Sequence, residues 1–249
     1  MESISPRKSS SDFFIVLLQA LVITFVIRTF FIQPFVIPSG SMRPTLLVGD
    51  YLFVNKMAYG YSRYSFPIGF NYLPKGRLFF SKPKRGDVVV FNHRDFYDGT
   101  RKDFIKRLIG LPGDHIQMRN GVLYINNTAV KREALPDISN YDITGEYGSI
   151  NCYKETLTPS LSYRTLDIDK SMKGNNTIEF VVPEHHYFMM GDNRDDSEDS
   201  RFSLGYIPED ELLGKADIIF FSLSDGVSGF EIWKWFNHIR WNRLFSSIN

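Results

Sequence analysis

The 249 residues suffice for a membrane anchor plus one sizeable domain, or for a domain with a large insertion, and are too many for a small stapled scaffold. A formal net charge of +1 with interspersed signs excludes the concentrated basic face that tracks phosphates, so no nucleic acid partner is expected. The single cysteine, Cys152, excludes an intrachain disulfide, and the 22 Phe and 13 Tyr suit strands and membrane interfaces better than a helical bundle.

The first predicted element follows a polar tail of residues 1–12 (MESISPRKSSSD). It is a helix over FFIVLLQALVITFVIRTFFI, Phe13 to Ile32, about long enough to cross a hydrocarbon core and interrupted only by Gln19, Thr24 and Arg28. Arg28 lies near its far end, where a long side chain can snorkel to headgroups. A buried core helix and a cleavable signal sequence are the competing readings. No A-x-A cleavage site follows the segment and Pro34 ends it, which favours a retained anchor. Counting Lys and Arg does not settle the topology, because Arg7 and Lys8 on one flank face Arg28 and Arg43 on the other.

Behind the helix the hydrophobic period changes to two. YLFVNKMAYG, GDVVVFNHR, DFIKRLIGL, HIQMRNGVLYINN, NTIEFVVP, HYFMMGDN and ADIIFFSLSD read as strands bounded by Gly, Pro, Asn or Asp. Asn120-Gly121 is a two-residue hairpin signal. The expected fold is therefore mostly β, an N-terminal transmembrane helix followed by an antiparallel, barrel-like domain over residues 33–128 and 177–249. Residues 129–176 are polar and turn-rich, with weaker strands, and read as a smaller inserted lobe. The C-terminal GFEIWKWFNHIRWNRLFSSIN sets Trp beside cationic residues, which suits either a membrane interface or an aromatic edge packed on the core.

The segment VIPSGSMRPTLLVGD, residues 36–50, places two serines around a glycine just beyond the greasy helix, with no histidine nearby. A serine hydroxyl is a weak nucleophile that needs an adjacent base, usually histidine. The five histidines, His93, His115, His185, His186 and His238, show no triad spacing, and His185-His186 lacks the H-E-x-x-H or Cys/His context of a metal site. In DFIKRLIGLPGD, strand alternation sets Lys106 in an apolar row with Phe104 and Leu108. Burial there lowers a lysine pKa toward the range of a general base, against the ordinary reading of a snorkelling surface lysine.

Three separated segments resemble the diagnostic boxes of bacterial type I signal peptidases, or leader peptidases. They are IPSGSMRPTLLVGDYLFVNKMAYG, RGDVVVF leading into DFIKRLIGLPGD, and MGDNRDDSEDSRFSLGYIPEDELLGKA, in that order behind a transmembrane segment. The resemblance implies a Ser-Lys serine endopeptidase with Ser41 as nucleophile and Lys106 as general base. It implies an oxyanion hole from the Ser39 hydroxyl and the Ser41 backbone N–H, with Gly40 letting the backbone turn so that both serines face one carbonyl. It gives Ser197 the role of orienting the lysine, and makes Asp199 with Arg201, and Asp192 with Arg107, supporting ion pairs. Physically, a hydroxyl orients a neutral amine without adding charge, whereas a carboxylate in contact would raise its pKa. An acidic solvated loop or a calcium loop competes for GDNRDDSEDSRF, and Arg194 inside the run argues against calcium.

The resemblance further implies that signal-peptide-bearing preproteins are cut after small-x-small residues and that neither a metal nor an organic cofactor is needed. Ile37, Pro38, Met42, Leu46, Leu52, Phe104 and Ile105 would line the substrate pockets, and an edge formed by Gln33 to Ser41 opposite Asp103 to Lys106 suits an extended peptide. It also supplies the topology: a single pass through a bacterial inner membrane and its lipid bilayer, the tail cytoplasmic and the rest on the outer face. Some relatives carry two anchors and a disulfide in the lobe; this chain has one convincing anchor and one cysteine. A self-cleaving repressor would need a helix-turn-helix and no anchor, and a dead binding module would not need Ser39, Ser41, Lys106 and Ser197 together.

Overall fold

The computed structural model describes residues 10–66, 76–138, 141–144, 150–168, 173–224 and 231–248. Most of the expected tail, residues 1–9, lies outside them. Helix α1 runs Ser10–Phe30. Its stretch Asp12–Phe30 has a mean hydropathy of 2.3 and is almost wholly exposed, so by length and composition it can cross a bilayer. The helix stops two residues short of the expected Ile32. Gln33 precedes Pro34, which disfavours helical backbone there, and the chain turns at once into strand β1 (Ile32–Val36).

The remaining strands follow in chain order. After β2 (Asp50–Asn55) come β3 (Val88–Arg94) and β4 (Arg101–Gly110). A second group is β5 (His115–Arg119), β6 (Val122–Ile125) and β7 (Thr128–Ala129), and a third is β8 (Lys131–Ile138), β9 (Ile150–Thr158) and β10 (Leu161–Asp167). The chain ends with β11 (Phe180–Val181), β12 (His186–Met190), β13 (Ile207–Pro208), β14 (Leu212–Ser222) and β15 (Ser246–Ser247).

The main sheet has eight strands in the order β1-β2-β14-β3-β4-β12-β13, with β15 on β14. A four-stranded sheet orders β11-β5-β6-β7 and a three-stranded one β10-β9-β8, and all pairings between these strands are antiparallel. The fold is thus mostly β behind one apolar helix. Asn120 and Gly121 join β5 to β6 with both φ positive, at 49° and 76°, as a tight hairpin turn with the native twist requires. The three-stranded sheet is more regular than its polar sequence suggests, with strands of up to nine residues.

Two features of the main sheet position the site. Strand β1 ends the sheet, pairs only with β2, and carries Pro34, which an edge strand tolerates because one side of its backbone is unpaired. Strand β4 starts exposed and is buried without a break from Lys106 to Gly110, so its second half enters the core on both faces. One apolar cluster joins Ile37, Met42, Leu46, Leu52, Val88, Val90 and Leu213, with Ile105 against it. A second joins Val89, Phe91, Leu108 and Met189, with Phe104 against it.

Candidate active site

The segment after β1 folds back as a series of turns that carries Ser41 inward. Ser41 is 8% exposed and Lys106, from β4, is 5% exposed, so both side chains are shielded from bulk water. Lys106 Nζ lies 2.6 Å from Ser41 Oγ, the length of a short hydrogen bond, across 65 residues of sequence. Burial draws the Lys106 ammonium down from 10.5 to about 8, opposed by the charges of Asp199 and Asp192 and reinforced by Arg201. An amine in that range is neutral often enough near pH 8 to accept a proton.

Neither neighbouring carboxylate bonds the lysine. Asp192 is clamped by Arg107, whose Nε and Nη2 donate to Oδ1 and Oδ2 at 2.8 and 2.7 Å, while the Thr45 hydroxyl donates to Oδ2 at 2.5 Å. Asp199 accepts from Arg201 Nε at 2.9 Å and Nη2 at 2.8 Å, and from the Gly191 N–H at 3.0 Å. Burial works against a charge on Asp199, yet Arg201 and these hydrogen bonds hold its carboxyl below the usual range. Each acid is thereby occupied by an arginine, and the lysine feels both at a distance.

Ser39 is exposed, with its Oγ 3.5 Å from Ser41 Oγ, so both hydroxyls border the same space. Gly40 between them does not use left-handed backbone. A Cβ there would meet the Arg43 side chain, with Nη1 at 3.1 Å and Cδ and Cζ at 3.2 Å, so the glycine makes room for Arg43 where the chain turns, the Arg43 N–H donating to the Gly40 carbonyl at 3.0 Å. Ser197 is buried beside the dyad, but its Oγ makes no hydrogen bond. The expected bond from Ser197 to the lysine is therefore absent in this structure, where Lys106 Nζ is directed at Ser41. Gly191 explains the closeness: a Cβ there would lie 2.2 Å from Ser197 Oγ and 2.5 Å from the Ser41 carbonyl oxygen.

Of the expected pocket residues, Ile37, Met42, Leu46, Leu52 and Ile105 meet in one cluster, and Pro38 is exposed next to them. Phe104 is set apart. It packs in the second cluster with its ring stacked on Phe91 at 5.8 Å, because adjacent residues on a strand point to opposite faces.

Several contributors needed the tertiary structure to be seen. Asn193 fastens the serine turn, its N–H donating to the Ser41 carbonyl at 3.1 Å and its Nδ2 to the Gly40 carbonyl at 3.2 Å. Behind Arg107 lies a buried relay into the three-stranded sheet. The Arg107 guanidinium stacks 4.0 Å over the Tyr163 ring, Tyr163 Oη donates to Glu155 at 2.9 Å, and Arg194 donates to both Glu155 carboxylate oxygens at 2.8 and 2.5 Å. The adjacency of Arg194 to the acidic run was the only sequence signal for this relay.

A buried serine hydroxyl with a lowered lysine at hydrogen-bond distance, and acids committed to arginines, has the chemistry acyl transfer requires. Residues 10–221 match the family described as "Signal peptidase, peptidase S26". Signal peptidase I of Rickettsia typhi is 39% identical over 246 residues, covering 92% of this chain and 90% of that protein. That of Rickettsia prowazekii is 39% identical over 245 residues, with the same coverages. A crystal structure of a signal peptidase I from Enterococcus faecalis V583 aligns at 26% identity and a TM-score of 0.30, covering 54% of this chain and 97% of that one. The chain belongs to the signal peptidase, peptidase S26, family and is a serine endopeptidase.

Proposed function

We propose that this protein removes N-terminal signal peptides from exported preproteins, cutting after small-x-small residues with Ser41 as nucleophile and Lys106 as general base. The observation that carries this reading is the 2.6 Å approach of Lys106 Nζ to Ser41 Oγ in a buried setting that lowers the amine to about 8. In the neutral amine the bond reverses, and the serine hydroxyl donates to the nitrogen lone pair. Ser41 Oγ attacks the scissile carbonyl as its proton passes to Lys106. The Ser41 N–H and the Ser39 hydroxyl hold the oxyanion, and the Lys106 ammonium then protonates the leaving amine. Lys106 next takes a proton from water, which opens the acyl-enzyme and frees the signal peptide.

Ser197, left without a partner, turns its hydroxyl to the lysine when the amine is neutral. The pairs Asp192–Arg107 and Asp199–Arg201 keep the carboxylates away from it. Ile37, Pro38, Met42, Leu46, Leu52 and Ile105 border the substrate, which lies extended along the free edge of β1 facing β4.

Anchoring by α1 completes the reading, with residues 1–12 cytoplasmic, 33–128 and 177–249 forming the catalytic domain on the outer face of a bacterial inner membrane, and 129–176 the smaller lobe. The exposed Trp233, Phe236, Trp241 and Phe245, at 75, 81, 62 and 77%, support contact with the lipid interface. The test is incubation of detergent-solubilised protein with a preprotein bearing an A-x-A site, with product mass read at the cut. The wild type releases the mature protein, and Ser41→Ala and Lys106→Ala do not. Near-normal turnover by either folded variant refutes the dyad.

A further inference from the structure

The main sheet has an end at which the anchor enters. Strands β1, β2, β14, β3 and β4 are neighbours in that order and each pair is antiparallel, so β1, β14 and β4 run one way and β2 and β3 the other. The end at which β1 begins, directly after α1, is therefore the end at which β3 stops and β4 starts. Sheet twist rotates the strands against one another, yet it does not carry this hairpin away from the helix. Asn92 and Asp103, opposite one another in the β3–β4 pair, border one cavity together with Phe25 and Arg28 of α1. Residues 95–100, which join the two strands, project beyond that pair, and Phe96 lies at most about 13 Å along the chain from Asn92 at roughly 3.3 Å per residue. The β3–β4 turn is thus a neighbour of the last turns of the anchor.

That turn satisfies its polar groups internally. The Asp95 carboxylate accepts from the Tyr97 and Asp98 N–H groups at 2.9 and 3.3 Å, and Asp98 accepts from the Thr100 N–H and hydroxyl at 2.9 and 2.6 Å. The backbone closes with the Asp95 N–H donating to the Thr100 carbonyl at 2.7 Å and the Gly99 N–H to the Asp95 carbonyl at 3.0 Å. Lys102 Nζ reaches both acids, at 2.9 and 2.7 Å, and Arg94 donates to the Gly99 carbonyl at 3.1 Å. Groups already bonded to one another lose little when water is withdrawn from around them. Phe96 and Tyr97 are treated differently. They are 72 and 78% exposed, and their rings meet edge to face at 5.6 Å at the outermost point of the turn. Two outward rings, one with a hydroxyl, above an exposed Arg94 match the aromatic and cationic residues that settle at a membrane–water boundary.

We propose that the β3–β4 turn is a second membrane contact, with Phe96 and Tyr97 seated at the headgroup level of the bilayer that α1 crosses. It rests on the reading of α1 as a membrane span. A single helix leaves the domain free to swing about the point where the chain leaves the bilayer. A second contact on the hairpin whose strand β4 carries Lys106 fixes the height of that lysine above the lipid.

The test uses the full-length protein reconstituted in phosphatidylcholine–phosphatidylglycerol vesicles, with a nitroxide label at position 97 through Tyr97→Cys or at position 178 through Ile178→Cys. Cys152 is buried and escapes the label, while Ile178, 75% exposed and just ahead of β11 in the four-stranded sheet, supplies the aqueous reference. Collisions of the label with oxygen, which concentrates in lipid, are compared with collisions with a nickel chelate, which stays in water. The oxygen-to-nickel ratio should be severalfold higher at position 97 than at position 178, and adding Phe96→Ser should lower it toward the reference. Equal ratios at the two positions in protein that floats with the vesicles, or a ratio at position 97 that Phe96→Ser leaves unchanged, would overturn the contact and leave the anchor standing. Protein that does not float would instead remove the anchor reading, and the contact with it.

Discussion

Lys56 and Lys106 are both buried lysines whose ammonium groups burial draws down to about 8, yet only Lys106 reaches a serine hydroxyl. Lys56 is spent on the Gln33 and Ser65 oxygens, neither of which is a nucleophile. Desolvation makes a lysine available as a base, and geometry decides whether it is one.

The lowered amine has a consequence for stability. A lysine whose folded pKa is below its unfolded value of 10.5 binds fewer protons when folded, so its burial costs most below pH 8 and that cost fades as pH rises to 10.5. Lys106→Met should therefore be more stable than wild type at pH 7, by on the order of 2 to 3 kcal/mol, with the gap closing by pH 10. Unfolding midpoints of both proteins at the two pH values check this. A gap that does not change with pH would mean that Lys106 is not desolvated in the folded state.

Gly191 sits where any side chain would strike the dyad. Its Cβ would lie 2.2 Å from Ser197 Oγ, 2.5 Å from Ser197 Cβ and 2.5 Å from the Ser41 carbonyl oxygen. Displacing the serine by even an ångström misaligns attack, and Gly191→Ala should lower kcat/KM by roughly a hundredfold. Adding Ser197→Gly, which removes two of the three contacts, should recover part of the loss. Full activity in Gly191→Ala would show that the turn has slack.

Ser39 and Ser197 should separate by what their removal does. Ser197→Ala deletes a hydroxyl that makes no ground-state hydrogen bond, so stability should stay within about 0.5 kcal/mol while kcat falls. Ser39→Ala removes the proposed oxyanion donor and should lower kcat by up to about a hundredfold with little change in KM. A KM effect alone for Ser39→Ala would make it a binding residue.

What the sequence made legible follows from what periodicity carries. Strands β2 to β4 and the Asn120-Gly121 hairpin show through alternation and turn chemistry, and Lys106 shows as a cation in an apolar row. The three-stranded sheet is obscured in the sequence because Glu155 and Arg194, both buried, satisfy one another with the half-buried Arg132 beside them, and a pair satisfied in space looks solvated in sequence. Asn193 was hidden for a related reason. It acts by bonding the backbone of a loop some 150 residues away, which no local pattern records. That the group crowding a Cβ at the Gly40 turn is the Arg43 side chain is a packing fact that composition cannot show.

The most direct measurement of the central claim is the pH dependence of kcat/KM on a preprotein, for wild type and for Lys56→Met. If neutral Lys106 takes the proton from Ser41, the rate should fall about tenfold per unit on the acid side of a midpoint near 8. That midpoint should stay in place in Lys56→Met. A rate independent of pH between 6 and 9, or a midpoint that moves when Lys56 is replaced, would contradict Lys106 as the base.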